Sequence, residues 1–195
     1  MTARRRLAAW IVLTVVLAGA LSVVALGLSQ PYAALRVWDS VRALGWLATV
    51  CLIAALAMSP LRRLARVQLL TALRRAFGIA AASCAAVHAA VALGALPGLA
   101  ASVLSLAWLR AGLAALLLLV ALLITSFDGV LRRLRLQHWK ELHRLVYPAT
   151  ICVVIHAVLG PFGTPALELA LIAGAAVLFM SRIVLAFVQK TPPSE

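Results

Sequence analysis

Acidic side chains are scarce in this sequence. Five Asp and Glu stand against eighteen Lys and Arg in 195 residues, and charge of either sign makes up only 12% of the chain. A soluble domain of this length carries about twice that share, so an ordinary water-soluble fold is excluded. The chain has no Gly-x-Gly-x-x-Gly segment, which removes the usual strand–turn–helix site for a dinucleotide. The three cysteines, Cys51, Cys84 and Cys152, lie in apolar runs and form no Cys-x-x-Cys pair. They read as small buried apolar side chains. No internal repeat is visible, and no low-complexity segment beyond the apolar bias.

What is present is apolar length. Hydrophobic residues make up 65% of the chain. They fall into runs long enough to cross a bilayer, which predicts an all-α integral membrane protein. Six spans are expected, over residues 7–28, 43–61, 75–96, 108–127, 139–160 and 165–187, forming a single transmembrane domain over 1–195. The first follows Arg4, Arg5 and Arg6 and is too long for a signal peptide, so it reads as a retained helix. Ser59-Pro60 and the arginines after it should end the second span. Pro97-Gly98 breaks the third. Residues 98–108 read equally as a surface helix or a structured loop. Arg182 and Glu168 read as snorkelling residues near the ends of the sixth span.

The net charge of +13 does not point to nucleic acid, because the basic residues cluster at the ends of the apolar runs. Such clusters are topology signals and lipid-headgroup contacts. Fifteen of the eighteen fall on one side of a six-span arrangement; Arg36, Arg42 and Arg110 fall on the other. The positive-inside rule then places both termini in the cytoplasm. Five tryptophans, at positions 10, 38, 46, 108 and 139, lie near span ends, as an aromatic belt would.

Histidine is the polar residue that this pattern leaves to be explained. His88 lies among alanines in the third span, and His156 lies in the fifth. Both spans run in the same direction, so the two histidines share the outer half. Arg74 and His143 mark the inner ends of the same two spans. Arg74 to His88 is a rise of about 21 Å, and His143 to His156 about 20 Å. Arg74 and His88 share a helix face; His143 and His156 do so only if Pro148 changes the helix phase. An ionisable residue at membrane depth is a functional candidate. Neutral imidazole is a good axial ligand for haem iron, and the small residues around His88 leave room for a planar macrocycle. With no Cys-x-x-Cys-His, such a haem would not be covalently attached in the c-type manner. A mid-membrane histidine also serves as a helix–helix hydrogen-bond group or as a link in a proton path, and that reading stays open. Small residues in membrane helices also simply allow close packing. His138, at the basic interface, reads as a headgroup contact.

These residues carry a resemblance. Arg74-Arg75-Ala-Phe-Gly-Ile, His88, the string Trp139-Lys-Glu-Leu-His143-Arg-Leu-Val-Tyr147, and His156 resemble the ferric-reductase-like transmembrane family. The ends of spans two and four, Ser59-Pro60-Leu61-Arg62 and Thr125-Ser126, fit as well. Within that family the pattern is most similar to the haem-binding subunits of bacterial periplasmic methionine sulfoxide reductase systems (the MsrQ/YedZ family).

The resemblance implies a multi-pass inner-membrane protein binding haem b, with FMN also associated. It implies His88 and His156 as outer haem ligands, and His143, with Arg74, at an inner site. Related oxidases carry a histidine where this chain has Arg74, and some close relatives carry one near Arg42. Electrons would come from the quinone pool or a separate flavin reductase. They would pass to a periplasmic molybdopterin-containing methionine sulfoxide reductase subunit that carries the catalysis. Other readings are a membrane cytochrome b or ferric reductase for another acceptor, and a non-redox proton-coupled membrane protein using the same histidines.

Overall fold

The computed structural model describes residues 3–28, 33–96, 98–127, 129–130, 136–161 and 165–188. Among them every regular element is helical: α1 (Ala3–Leu28), α2 (Ala33–Ala65), α3 (Leu69–Ala95), the single turn α4 (Leu99–Ser102), α5 (Ala107–Ile124), α6 (Leu136–Leu142), α7 (Val146–Leu159) and α8 (Pro165–Val188). A 3-10 turn, His143–Leu145, joins α6 to α7. Five stretches are long and apolar enough to cross a membrane: Arg6–Leu26, Val37–Ala65, Leu69–Ala95, Ala107–Ile124 and Gln137–Leu159. The chain is thus a multi-pass helical membrane protein. α8 is 24 residues long, and its described apolar stretch is Leu169–Arg182.

Burial is distributed as a bilayer dictates. Large apolar side chains such as Trp10, Val15, Leu117, Leu159 and Val177 lie exposed on the outside, where lipid tails would meet them. The interior is built from small residues: Ala80, Ala81 and Cys84 are fully buried, as are Ala149 and Leu44. Apolar tails compete with apolar side chains in a bilayer, so close backbone approach between small residues holds membrane helices together. α2 packs along α3, α3 meets α5, α5 runs along α7, and α8 bridges α7 back to α2. These five helices close a ring. α1 leans on α2 and α3 from outside, with Ala20 its one described buried position.

One of two helical prolines acts differently from its expectation. Pro60 was expected to end the second span, but α2 continues through it to Ala65. Proline at position 60 has no N–H to give the carbonyl of Leu56. Arg182 supplies the missing donor, its Nη2 lying 2.8 Å from Leu56 O, so the helix survives. Arg182 accordingly does not snorkel outward. Its Nη1 also donates to the Tyr147 hydroxyl at 2.7 Å. The side chain of Glu168 lies outside the described residues. Pro148 behaves as expected: the turn just before it tightens to 3-10, which advances about 120° per residue instead of 100° and shifts the helix phase.

Other boundaries moved modestly. α2 begins at Ala33, so helix starts ten residues ahead of the span expected from residue 43. The 98–108 stretch resolves into α4, a further turn and the start of α5. Gly98 sits there at φ +83°, a left-handed conformation that favours glycine.

Candidate functional site

His88 on α3 and His156 on α7 face each other inside the ring. Their ring centroids lie 6.1 Å apart and their planes are 84° apart. Each is held from behind by a neighbouring helix. His88 Nδ1 is 2.7 Å from the carbonyl oxygen of Val41 on α2. His156 Nδ1 is 2.8 Å from the carbonyl oxygen of Trp108 on α5. A carbonyl only accepts, so each Nδ1 carries the proton and donates it. Each Nε2 is then a bare lone pair, and neither makes a hydrogen bond among the described residues. The Trp108 ring packs on His156 at 5.5 Å.

Two cavities flank the pair, of about 130 and 110 Å³, and both are lined by His88 and His156. They share Gly45, Thr49, Ala92, Leu99, Leu109 and Val153 as well. Both are largely apolar and adjoin around the two imidazoles. Of the small residues around His88, Ala85, Ala89 and Ala92 line it; Ala80, Ala81 and Ala82 belong to the packed core instead. Arg42, Trp38 and Trp46 rim the second cavity.

The other end of the ring holds a second space, of about 350 Å³, lined by Arg74, Arg75, His143, Trp139, Thr71 and Ser126 among others. Arg74 and His143, paired by depth in the sequence, do meet here. His143 Nδ1 is 3.2 Å from the carbonyl of Trp139, one turn earlier, and the two rings stack at 4.1 Å. Arg75 donates to Ser126 O at 2.6 Å, and Trp139 Nε1 donates to Thr125 O at 3.3 Å. These are C-terminal carbonyls of α5 and its following turn, which lack helical partners. Arg74 makes no hydrogen bond or ion pair among the described residues. The four residues picked out from sequence therefore divide between two sites, His88 with His156 and Arg74 with His143. His138 is exposed and belongs to neither.

Among the described residues, no cluster of three or more His, Cys, Asp or Glu could hold a bare metal ion. The His88–His156 pair offers two ring nitrogens and no more, which suits a metal that arrives with further ligands of its own. Each Nε2, which makes no hydrogen bond among the described residues, would be available to hold the iron of such a group, and the group would supply one-electron chemistry. The residues present fit a haem.

Four features of the site were missed in the sequence. Gly45 and Gly112 stand against the histidine rings, and Trp108 and Trp139 pack on them. A glycine within an apolar span costs about 1 kcal/mol against alanine and hints at close approach. The Trp139–His143 spacing of one helical turn was another available signal.

Comparison with known proteins agrees with this architecture. A family model described as "Ferric reductase like transmembrane component" matches residues 44–154. Three relatives carry the name protein-methionine-sulfoxide reductase heme-binding subunit MsrQ. The one from Rhodospirillum rubrum is 52% identical over 52 residues, covering 27% of this chain and 25% of the relative. The one from Xanthomonas euvesicatoria is 36% identical over 110 residues, 54% of this chain and 50% of the relative. The one from Ralstonia nicotianae is 32% identical over 156 residues, 77% of this chain and 70% of the relative. The chain thus spans a quarter to a half of the first two relatives' length. The chain belongs to the ferric-reductase-like transmembrane family, alongside these MsrQ subunits.

Proposed function

We propose that this protein is a transmembrane electron-transfer subunit that holds haem b between His88 and His156. The observation that carries the reading is the pair of opposed imidazoles, each with its proton tied to a backbone carbonyl and its Nε2 free. Backbone hydrogen bonding of this kind fixes the tautomer and ring plane of a metal-bound histidine and raises its basicity. The apolar walls on either side exclude water, and Arg42 on the rim is a cation available to carboxylates of a bound group. When bound, haem supplies a one-electron carrier. The relatives' names, which describe a heme-binding subunit, support the same cofactor.

The topology belongs to the proposal: one domain, six spans with α8 as the sixth, and both termini in the cytoplasm of a bacterial inner membrane. The His88 end then faces the periplasm, and the Arg74 end faces the cytoplasm. Arg74 and His143 line the entry cavity, where an unpaired cation beside a free imidazole nitrogen suits an anionic redox group or a quinol. The donor is the quinone pool or a flavin reductase. The acceptor is a periplasmic methionine sulfoxide reductase subunit carrying molybdopterin, and catalysis lies there. FMN enters only through the family resemblance, and its presence is tested by flavin fluorescence of an acid extract.

A proton relay through the same histidines is disfavoured. Each Nδ1 proton faces a carbonyl that cannot take it up, so a proton has no exit through that side of the ring.

The deciding experiment is a dithionite-reduced minus oxidised spectrum of the detergent-purified protein, beside His88→Ala and His156→Ala. A b-type spectrum in the wild type, lost in both variants, supports the reading. A colourless wild type from haem-replete cells overturns it. Co-purification with a molybdenum-containing periplasmic protein, and loss of methionine sulfoxide repair on deletion, test the acceptor.

A further inference from the structure

The two histidines are seated by one device used twice. His88 donates to the carbonyl of Val41, and the residue four positions later on α2 is Gly45. His156 donates to the carbonyl of Trp108, and the residue four positions later on α5 is Gly112. In an α-helix, the carbonyl of residue i already accepts from the N–H of residue i+4. The side chain at i+4 lies over that carbonyl and shields it from the side. Without a Cβ, the carbonyl's second lone pair is open to a donor from a neighbouring helix. The structure shows how tight this is: a Cβ on Gly112 would lie 2.6 Å from His156 Nδ1 and 2.8 Å from its Cε1. A Cβ on Gly45 would lie 3.1 Å from His88 Cε1 and 3.2 Å from its Nδ1. By contrast, a Cβ on Gly19 or Gly94 would meet nothing within 4 Å.

We propose that Gly45 and Gly112 are positioning residues, each opening a notch in its helix through which a backbone carbonyl fixes the proton and the plane of the haem-ligating imidazole. The device also accounts for the crossed ring planes. Each plane is set by a different helix, α2 for His88 and α5 for His156, and the two planes end up 84° apart. The inference rests on the haem reading for its electronic consequence, but the steric notch stands independently of it. Loss of a carbonyl bond makes a ligating imidazole less basic and less electron-donating. That favours the reduced iron, so the midpoint potential rises.

The test has two arms. In the first, thermal unfolding of the detergent-purified full chain is measured for Gly112→Ala, His156→Ala and their double variant, and for Gly45→Ala, His88→Ala and theirs. Gly19→Ala and Gly94→Ala serve as controls. The notch predicts that each glycine substitution lowers the melting temperature when its histidine is present, more at position 112 than at 45. It predicts no loss when the histidine is already alanine. A penalty that persists without the histidine overturns the proposal, because the glycine then serves helix packing alone. A single variant that fails to fold is read the same way, by whether its double variant folds.

In the second arm, Gly45→Ala is titrated spectroelectrochemically and its ferric low-spin EPR signal recorded. A raised midpoint potential and an altered g-anisotropy are expected. Wild-type potential and signal overturn the positioning role. If the wild type holds no haem, the functional reading fails, and the first arm still decides whether the notch exists.

Discussion

Arg182 on α8 donates to the carbonyl of Leu56 on α2 at 2.8 Å, the carbonyl that Pro60 cannot serve. A helix-breaking residue and a charged residue, each costly inside a membrane, thus offset one another. In a bilayer no water stands ready to satisfy a freed carbonyl. The same guanidinium lies over the Tyr147 ring at 5.3 Å and bonds its hydroxyl, so one side chain joins α2, α7 and α8.

Arg182→Met should leave both the Leu56 carbonyl and the Tyr147 hydroxyl without this donor. The expected cost is about 1–3 kcal/mol for each polar group left unsatisfied, read as a drop in melting temperature. Pro60→Ala restores an N–H at position 60 and should recover part of that loss in the double variant. Equal melting temperatures for Arg182→Met and wild type would show that the carbonyl is served in another way.

Arg74 is a half-buried cation with no hydrogen bond or ion pair among the described residues. Arg74→Leu should therefore stabilise the cofactor-free protein, by roughly 1 kcal/mol as an unpaired, desolvated charge is removed. It should at the same time weaken whatever the cavity between α3 and α7 holds. Thermal unfolding of protein from haem-depleted cells checks the first part, and reduction by a quinol analogue checks the second.

His143→Ala separates the two ends of the ring. The haem held by His88 and His156 should keep its spectrum, because His143 lines the other cavity. If His143 ligates a second haem, the pyridine haemochrome ratio falls by half. An unchanged ratio together with slower quinol reduction assigns His143 to the donor site.

Orientation is checked with an impermeant maleimide on spheroplasts, using a chain with Cys152→Ala; Cys51 and Cys84 are buried. Leu64 and Leu104 are 75% and 74% exposed at opposite ends of the bundle. Leu104→Cys should label from outside, and Leu64→Cys only after the membrane is opened. The reverse pattern would invert the topology.

Membrane class, five apolar spans and the two histidines that face each other were legible in the sequence, because each depends on a local cost. Apolar runs of bilayer length have one solvent that suits them, and a histidine among alanines at that depth is expensive enough to stand out. The pairing by depth also held, since helix rise per residue is nearly constant: Arg74 meets His143 and His88 meets His156. The persistence of α2 beyond Pro60 was not legible, because the donor that rescues it lies 126 positions away.

The tertiary structure alone decided what surrounds the imidazoles. Val41, Gly45, Trp108 and Gly112 lie on helices other than those of the histidines they contact. In sequence, Gly45 and Gly112 look no different from Gly19, where an added Cβ would meet nothing within 4 Å. A glycine's role is set by what comes close to its missing side chain, and only the packing of one helix against another determines that. The sequence by itself determined which groups lie level with one another on neighbouring helices, because helix rise per residue is nearly constant. Which proton points where, and which planes cross, followed from contacts between chain segments that no local pattern encodes.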